Sequence, residues 1–104
     1  MTTFDDRENA FENKFAHDAD MQFRAEARRN KLVGLWAANL LGHTGDAAAA
    51  YAMTVVQADF EEAGIEDVVR KLAADLAGKA GDDAIRAKMA ELLPVAQAQL
   101  MTEL

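Results

Sequence analysis

Few residues in this 104-residue chain have the type and spacing for bond-making chemistry. The two histidines, His17 and His43, each lack a second ligand at metal-binding spacing. His17 precedes Asp18 and His43 stands near Asp46, but such pairs are too common to define an acid–base site. The absence of cysteine excludes disulfides, thiolate catalysis, zinc fingers and iron–sulfur clusters. The acids Asp59, Glu61, Glu62, Glu66 and Asp67 lack the alternating oxygen ligands of a calcium loop and read as a solvated helix end. Gly42–His43–Thr44–Gly45 could present N–H groups to a phosphate, yet Asp46 follows and repels it. Gly78–Lys79–Ala80–Gly81 runs into Asp82–Asp83 rather than Lys–Ser, so it is no phosphate-binding loop. Both segments are turns. The expectation is a protein that is not an enzyme and carries no metal or cofactor.

Two patterns remain. Arg24, Arg28 and Lys31 fall at i, i+4 and i+7 and share a helix face, with Arg29 beside them near Trp36. These residues could contact a phosphate or an acidic surface, or simply form a solvated face paired with the chain's own acids. Phe4, Phe11 and Phe15 form one stripe if the first segment is helical, with Asp5, Asp6, Arg7, Glu12 and Lys14 mainly off it. Three rings on a charged segment fit a helix that anchors in another protein's groove. They fit equally a segment folded back onto its own small core.

The elements that position these residues follow from period and punctuation. Ile65, Val68, Val69, Leu72, Ala73 and Leu76 recur with helical spacing, as do Ile85, Met89, Leu92, Leu93, Ala96 and Leu100. Ala48, Ala52, Val55, Val56, Phe60 and Ala63 mark a third stripe, and Ala25, Leu32, Leu35, Trp36 and Leu40 a fourth. Nothing alternates with period two, so strands are not expected. Asp18 or Asp20 can cap the first helix, and Gly42 can end it in the left-handed conformation. Thr44 opens the second helix, with Asp46 in its first turn. Gly64 ends it, Glu66–Asp67 begin the third, and Asp82 or Asp83 caps the last. Pro94, lacking an N–H, predicts a kink or early fraying.

The pattern predicts an all-α, single-domain four-helix bundle (residues 18–104) behind a flexible N-terminal arm (residues 1–17). Its helices span roughly 19–41, 45–63, 66–77 and 83–102. The expected core is Leu32, Leu35 or Trp36, Leu40, Val55, Phe60, Val69, Leu72, Leu76, Met89, Leu92 and Ala96.

Composition sets the limits. Apolar residues make up 51% of the chain, but much of that is alanine, so one modest core is available. The net charge of −7 disfavours nucleic acid and anionic membrane surfaces as partners. Charge is also arranged in blocks: residues 1–20 hold six acids and two bases, residues 21–43 one acid and four bases. The start turns acidic at once, unlike a secretory signal, and the run Leu32–Leu41 is shorter than the about 20 apolar residues a bilayer requires. A soluble protein is expected.

The strings Phe4–Asp5–Asp6–Arg7–Glu8, Ala10–Phe11–Glu12 and Lys14–Phe15–Ala16–His17–Asp18 carry a resemblance. So do Ala25–Glu26–Ala27–Arg28–Arg29–Asn30–Lys31–Leu32 and Gly34–Leu35–Trp36–Ala37–Ala38. It continues through Thr44–Gly45–Asp46, Asp67–Val68–Val69–Arg70–Lys71 and Ile85–Arg86–Ala87–Lys88–Met89. Together they resemble the alphaproteobacterial ATPase inhibitor subunit zeta family over essentially the whole chain. The resemblance implies a four-helix protein whose mobile N-terminal segment enters a catalytic α/β interface of the F1 sector and blocks ATP hydrolysis. The implied partners are the F1 α, β and γ subunits. The implied location is cytoplasmic, peripheral to the inner membrane through F1, without membrane insertion. Partner contacts then fall to Phe4, Asp5, Arg7, Glu8, Phe11, Glu12, Lys14, Phe15 and His17. The alternatives are an adaptor for another helical partner and a module binding ATP or ADP weakly through Arg24, Arg28, Arg29, Lys31 and Trp36. Nucleotide titration separates the latter from the inhibitor.

Overall fold

The structure, a computed structural model, describes residues 18–58 and 64–103. The arm of residues 1–17, the expected end of the second helix at 59–63 and the core candidate Phe60 lie outside the described residues. Among the described residues there are four helices and no strand: α1 (Ala19–Leu40), α2 (Gly45–Ala58), α3 (Glu66–Asp75) and α4 (Asp82–Thr102). The expected all-α four-helix architecture is what is found.

Local chemistry sets the ends. The Asp18 carboxylate caps α1, accepting hydrogen bonds from the N–H groups of Asp20 at 3.1 Å and Met21 at 3.2 Å. At the other end His43 N–H donates to the Ala38 carbonyl and Gly42 N–H to that of Asn39, closing the helix around Gly42 at φ 87°. The N-cap position of α4 is Gly81, which has no side chain to cap with, rather than Asp82 or Asp83. Asp82 instead lies inside the first turn and pairs with Arg86 at 2.9 Å. Arg86 also reaches Glu66 at 2.9 Å, tying the start of α3 to the start of α4. Helix α3 stops at Asp75, two residues earlier than the period implies, because Leu76 turns out of helical geometry and its carbonyl accepts from Lys79 and Ala80.

Pro94 does not fray α4, which continues to Thr102. Both Pro94 and Ala90, the residue whose carbonyl loses its donor, are exposed, so water can satisfy that carbonyl. Ala96 and Leu100 are buried beyond the proline and hold the last turns down.

Helix α1 packs along α2 and α4, and α3 closes the other side against the same two helices. The main core joins Val33 and Ala37 of α1, Val55 of α2, Val68, Val69 and Leu72 of α3 with Leu76 at its end, and Ile85 and Met89 of α4. Each large side chain here contributes about 1.5–3 kcal/mol by leaving water. The expected core members Val55, Val69, Leu72, Leu76, Met89 and Ala96 are buried. The α1 stripe is corrected: Leu32, Leu35 and Trp36 are half-buried and Leu40 is exposed. Leu92 is half-buried against the core rather than within it. The buried line on α1 runs through Val33, Gly34, Ala37 and Ala38 because close approach to α2 leaves no room for larger residues. A Cβ on Gly34 would stand 2.7 Å from Ala52 Cα.

Candidate functional site

The residues that follow the arm are fixed by a second, smaller core. Met21 and Ala25 of α1 bury against Leu100 of α4, with Leu93 and Met101 packed beside them. The sequence stripes omit Met21, although it lies at the expected i−4 position from Ala25. A charged clasp closes the same end. Arg28 holds both carboxylate oxygens of Glu103, each at 2.9 Å, and donates to Gln99 Oε1 at 2.9 Å. This bidentate contact holds the Glu103 carboxyl below the usual carboxylate range. The clasp escapes a sequence reading because its partners stand 75 residues apart. The start of α1 is thus capped and packed from Asp18 onward, where residues 1–17 join.

The structure divides the basic set. Arg24, Arg28 and Lys31 line one hollow between α1, α2 and the end of α4, and Arg24 also pairs with Asp20 at 3.0 Å. Arg29 does not join them: it is buried, with Nε donating to Asn30 Oδ1 at 3.2 Å. Trp36 does not join them either. It packs against the main core with the Lys88 ammonium 5.6 Å from its ring centre. The helical offset explains both, since residues 29 and 36 lie roughly a third of a turn or more from the line through 24 and 31.

At the opposite end, His43 packs against Tyr51 with ring centres 6.0 Å apart. Tyr51 donates its hydroxyl to Asp75 at 2.7 Å, and Lys71 pairs with the same oxygen at 3.0 Å. Burial, then the bond to Asp75 and its charge, push the Tyr51 phenol well above its ordinary range. Burial pushes Asp75 up, but the bonds from Tyr51 and Lys71 outweigh it and hold the carboxyl below its usual range. This cluster fastens α2 to α3. Among the described residues no group of three or more His, Cys, Asp or Glu side chains could hold a metal ion. No helix among them is long and apolar enough to cross a membrane. Phe4, Asp5, Arg7, Glu8, Phe11, Glu12, Lys14, Phe15 and His17 lie outside the described residues.

Comparison with known proteins decides the family. The family model for ATPase inhibitor subunit zeta matches residues 1–99, arm and body together. The chain belongs to this family. A solved structure, described as the solution NMR structure of a protein, is 63% identical with a TM-score of 0.76. The match covers 81% of this chain and 99% of that one. No curated protein matches the sequence. Membership in the zeta family implies a regulatory rather than catalytic role and an association with an ATPase.

Proposed function

We propose that this zeta-family protein inhibits the F1 sector of ATP synthase by inserting its N-terminal segment as a helix into a catalytic α/β interface. The observation that carries the reading is the family match, which runs through the arm as well as the body. The body offers a mount for it, because the residues that directly follow the arm are anchored, Met21 and Ala25 burying against Leu100. On this reading Phe4, Phe11 and Phe15 serve a partner rather than the body. Ordering the arm costs roughly 1–2 kcal/mol per residue, so burial of Phe4, Phe11 and Phe15 must supply most of the compensation. Asp5, Arg7, Glu8, Glu12, Lys14 and His17 set register against charges of the α, β and γ subunits. This role would hold the protein at F1 on the cytoplasmic face of the inner membrane.

No observation favours the nucleotide alternative, because Arg29 and Trp36 stand away from the hollow lined by Arg24, Arg28 and Lys31. The test is addition of the purified full chain to F1-ATPase from the same source. Hydrolysis falls saturably if the reading is right; unchanged hydrolysis at saturating protein contradicts it.

A further inference from the structure

Two large apolar side chains that remain exposed, Phe23 at 53% and Met53 at 48%, line the same hollow. It lies where α1, α2 and the end of α4 meet and has a volume of about 400 Å³. Ala27, Val56 and Leu100 contribute apolar surface, while Arg24, Arg28 and Lys31 make its edge basic. A basic rim around apolar surface is unusual on a chain of net charge −7. Solubility alone does not require it.

The rim charges differ in how firmly they are held. Arg24 pairs with Asp20, both more than half exposed, and Glu103, the partner of Arg28, has a side chain that is 53% exposed. The exposed Arg24–Asp20 pair contributes about 0–1 kcal/mol, so a carboxylate from another protein can take over Arg24 at little cost, whereas the bidentate grip of Arg28 on Glu103 stays in place. Lys31 makes no ion pair within 4.0 Å among the described residues. The hollow also begins close to the Asp18 cap, where residues 1–17 join the body. Phe23, Ala27 and Lys31 follow Asp18 on one face of α1, and Ala27 stands only about 13 Å of helix rise beyond that cap. A partner that seats the arm therefore meets this face next.

We propose that the hollow is a second docking surface for the partner that seats the arm. It receives an acidic amphipathic segment of that partner. An apolar side chain of the segment enters between Met53, Val56 and Leu100, and its carboxylates displace Asp20 from Arg24 and pair with Lys31. The proposal rests on the F1 reading above and extends it from the arm to the body: the arm blocks, and the hollow holds.

The experiment measures binding of the full chain to immobilised F1 at two ionic strengths, together with inhibition of hydrolysis. It compares the unchanged chain with Met53→Glu, Lys31→Glu and Phe11→Ala, each checked for its helical dichroism and melting. Met53→Glu and Lys31→Glu are each expected to weaken binding about tenfold while leaving inhibition at saturation unchanged. Lys31→Glu should also flatten the salt dependence. Phe11→Ala should lose inhibition but keep salt-sensitive binding. If both charge variants bind within about twofold of the unchanged chain while Phe11→Ala loses inhibition, the second surface is overturned and the arm reading stands. If Phe11→Ala inhibits normally while the charge variants lose binding, the arm reading fails and the surface is supported. A synthetic peptide of residues 1–17 that binds the full chain but not Met53→Glu would assign the hollow to the chain's own arm. Self-association abolished by Met53→Glu would assign it to a second copy. Either result overturns the proposal.

Discussion

Gly34→Ala sets helix propensity against packing at the crossing of α1 and α2. Gly34 has no positive φ, so alanine fits its backbone and should gain about 1 kcal/mol of helix propensity. The added methyl, however, would stand 2.7 Å from Ala52 Cα, 3.1 Å from Ala52 Cβ and 3.2 Å from Val55 Cγ2. Carbon atoms rest at about 3.5–4.0 Å, so the helices must part by roughly 1 Å. The closest obstacle is backbone and cannot rotate away. Overpacking costs about 1–3 kcal/mol, and a rigid obstacle places this site in the upper half of that range. After the propensity gain the net loss is about 1–2 kcal/mol. For a domain of this size that lowers the melting temperature by about 5–15 °C. Thermal and urea unfolding followed by dichroism measure it, with Ala50→Gly on the exposed side of α2 reporting propensity alone. A Gly34→Ala protein that melts higher than the unchanged chain would refute the close crossing.

Leu72 has no exposed surface, and Leu72→Ala should cost about 2–5 kcal/mol, read as an earlier urea midpoint. Tyr51 is the only tyrosine, so its ionisation can be followed by ultraviolet absorbance without overlap. Its phenol is raised in the folded state, so the stability it contributes is present below the ordinary tyrosine range and lost as pH rises through the folded value. The phenolate should therefore appear later than in an unfolded control, and Asp75→Asn should bring it earlier. Asp75 and Glu103 shift the other way: their contribution is present above the ordinary carboxylate range and lost as pH falls through the lowered folded values. Acid unfolding of Asp75→Asn and Glu103→Gln should accordingly be less steep than that of the unchanged chain.

Punctuation residues were legible in the sequence because their chemistry is local. Asp18 caps α1 through its own side chain, and Gly42 ends that helix through its own φ. The α3 stripe was legible because Val69, Leu72 and Leu76 are both large and buried. The α1 stripe misled because apolar bulk and burial part company there. Leu35, Trp36 and Leu40 mark the flanks of the contact, while its centre is Gly34, Ala37 and Ala38. A small residue carries little hydrophobic weight, yet it lets two backbones meet. Asp82 has the residue type of a cap, but it lies in the first turn and its side chain is engaged by Arg86 one turn on. The basic run was legible as a face, but Arg29 is buried and the link from Arg28 to Glu103 requires the fold.

The central claim is that the arm inhibits and the body stands without it. Deletion of residues 1–15 tests both halves in one preparation, through the melting temperature and the effect on F1-ATPase hydrolysis. If the arm's phenylalanines serve a partner rather than the body, the shortened chain should melt within a few degrees of the full one. It should leave hydrolysis uninhibited at concentrations where the full chain inhibits. A shortened chain that inhibits as well as the full chain, or one that no longer folds, would contradict the account.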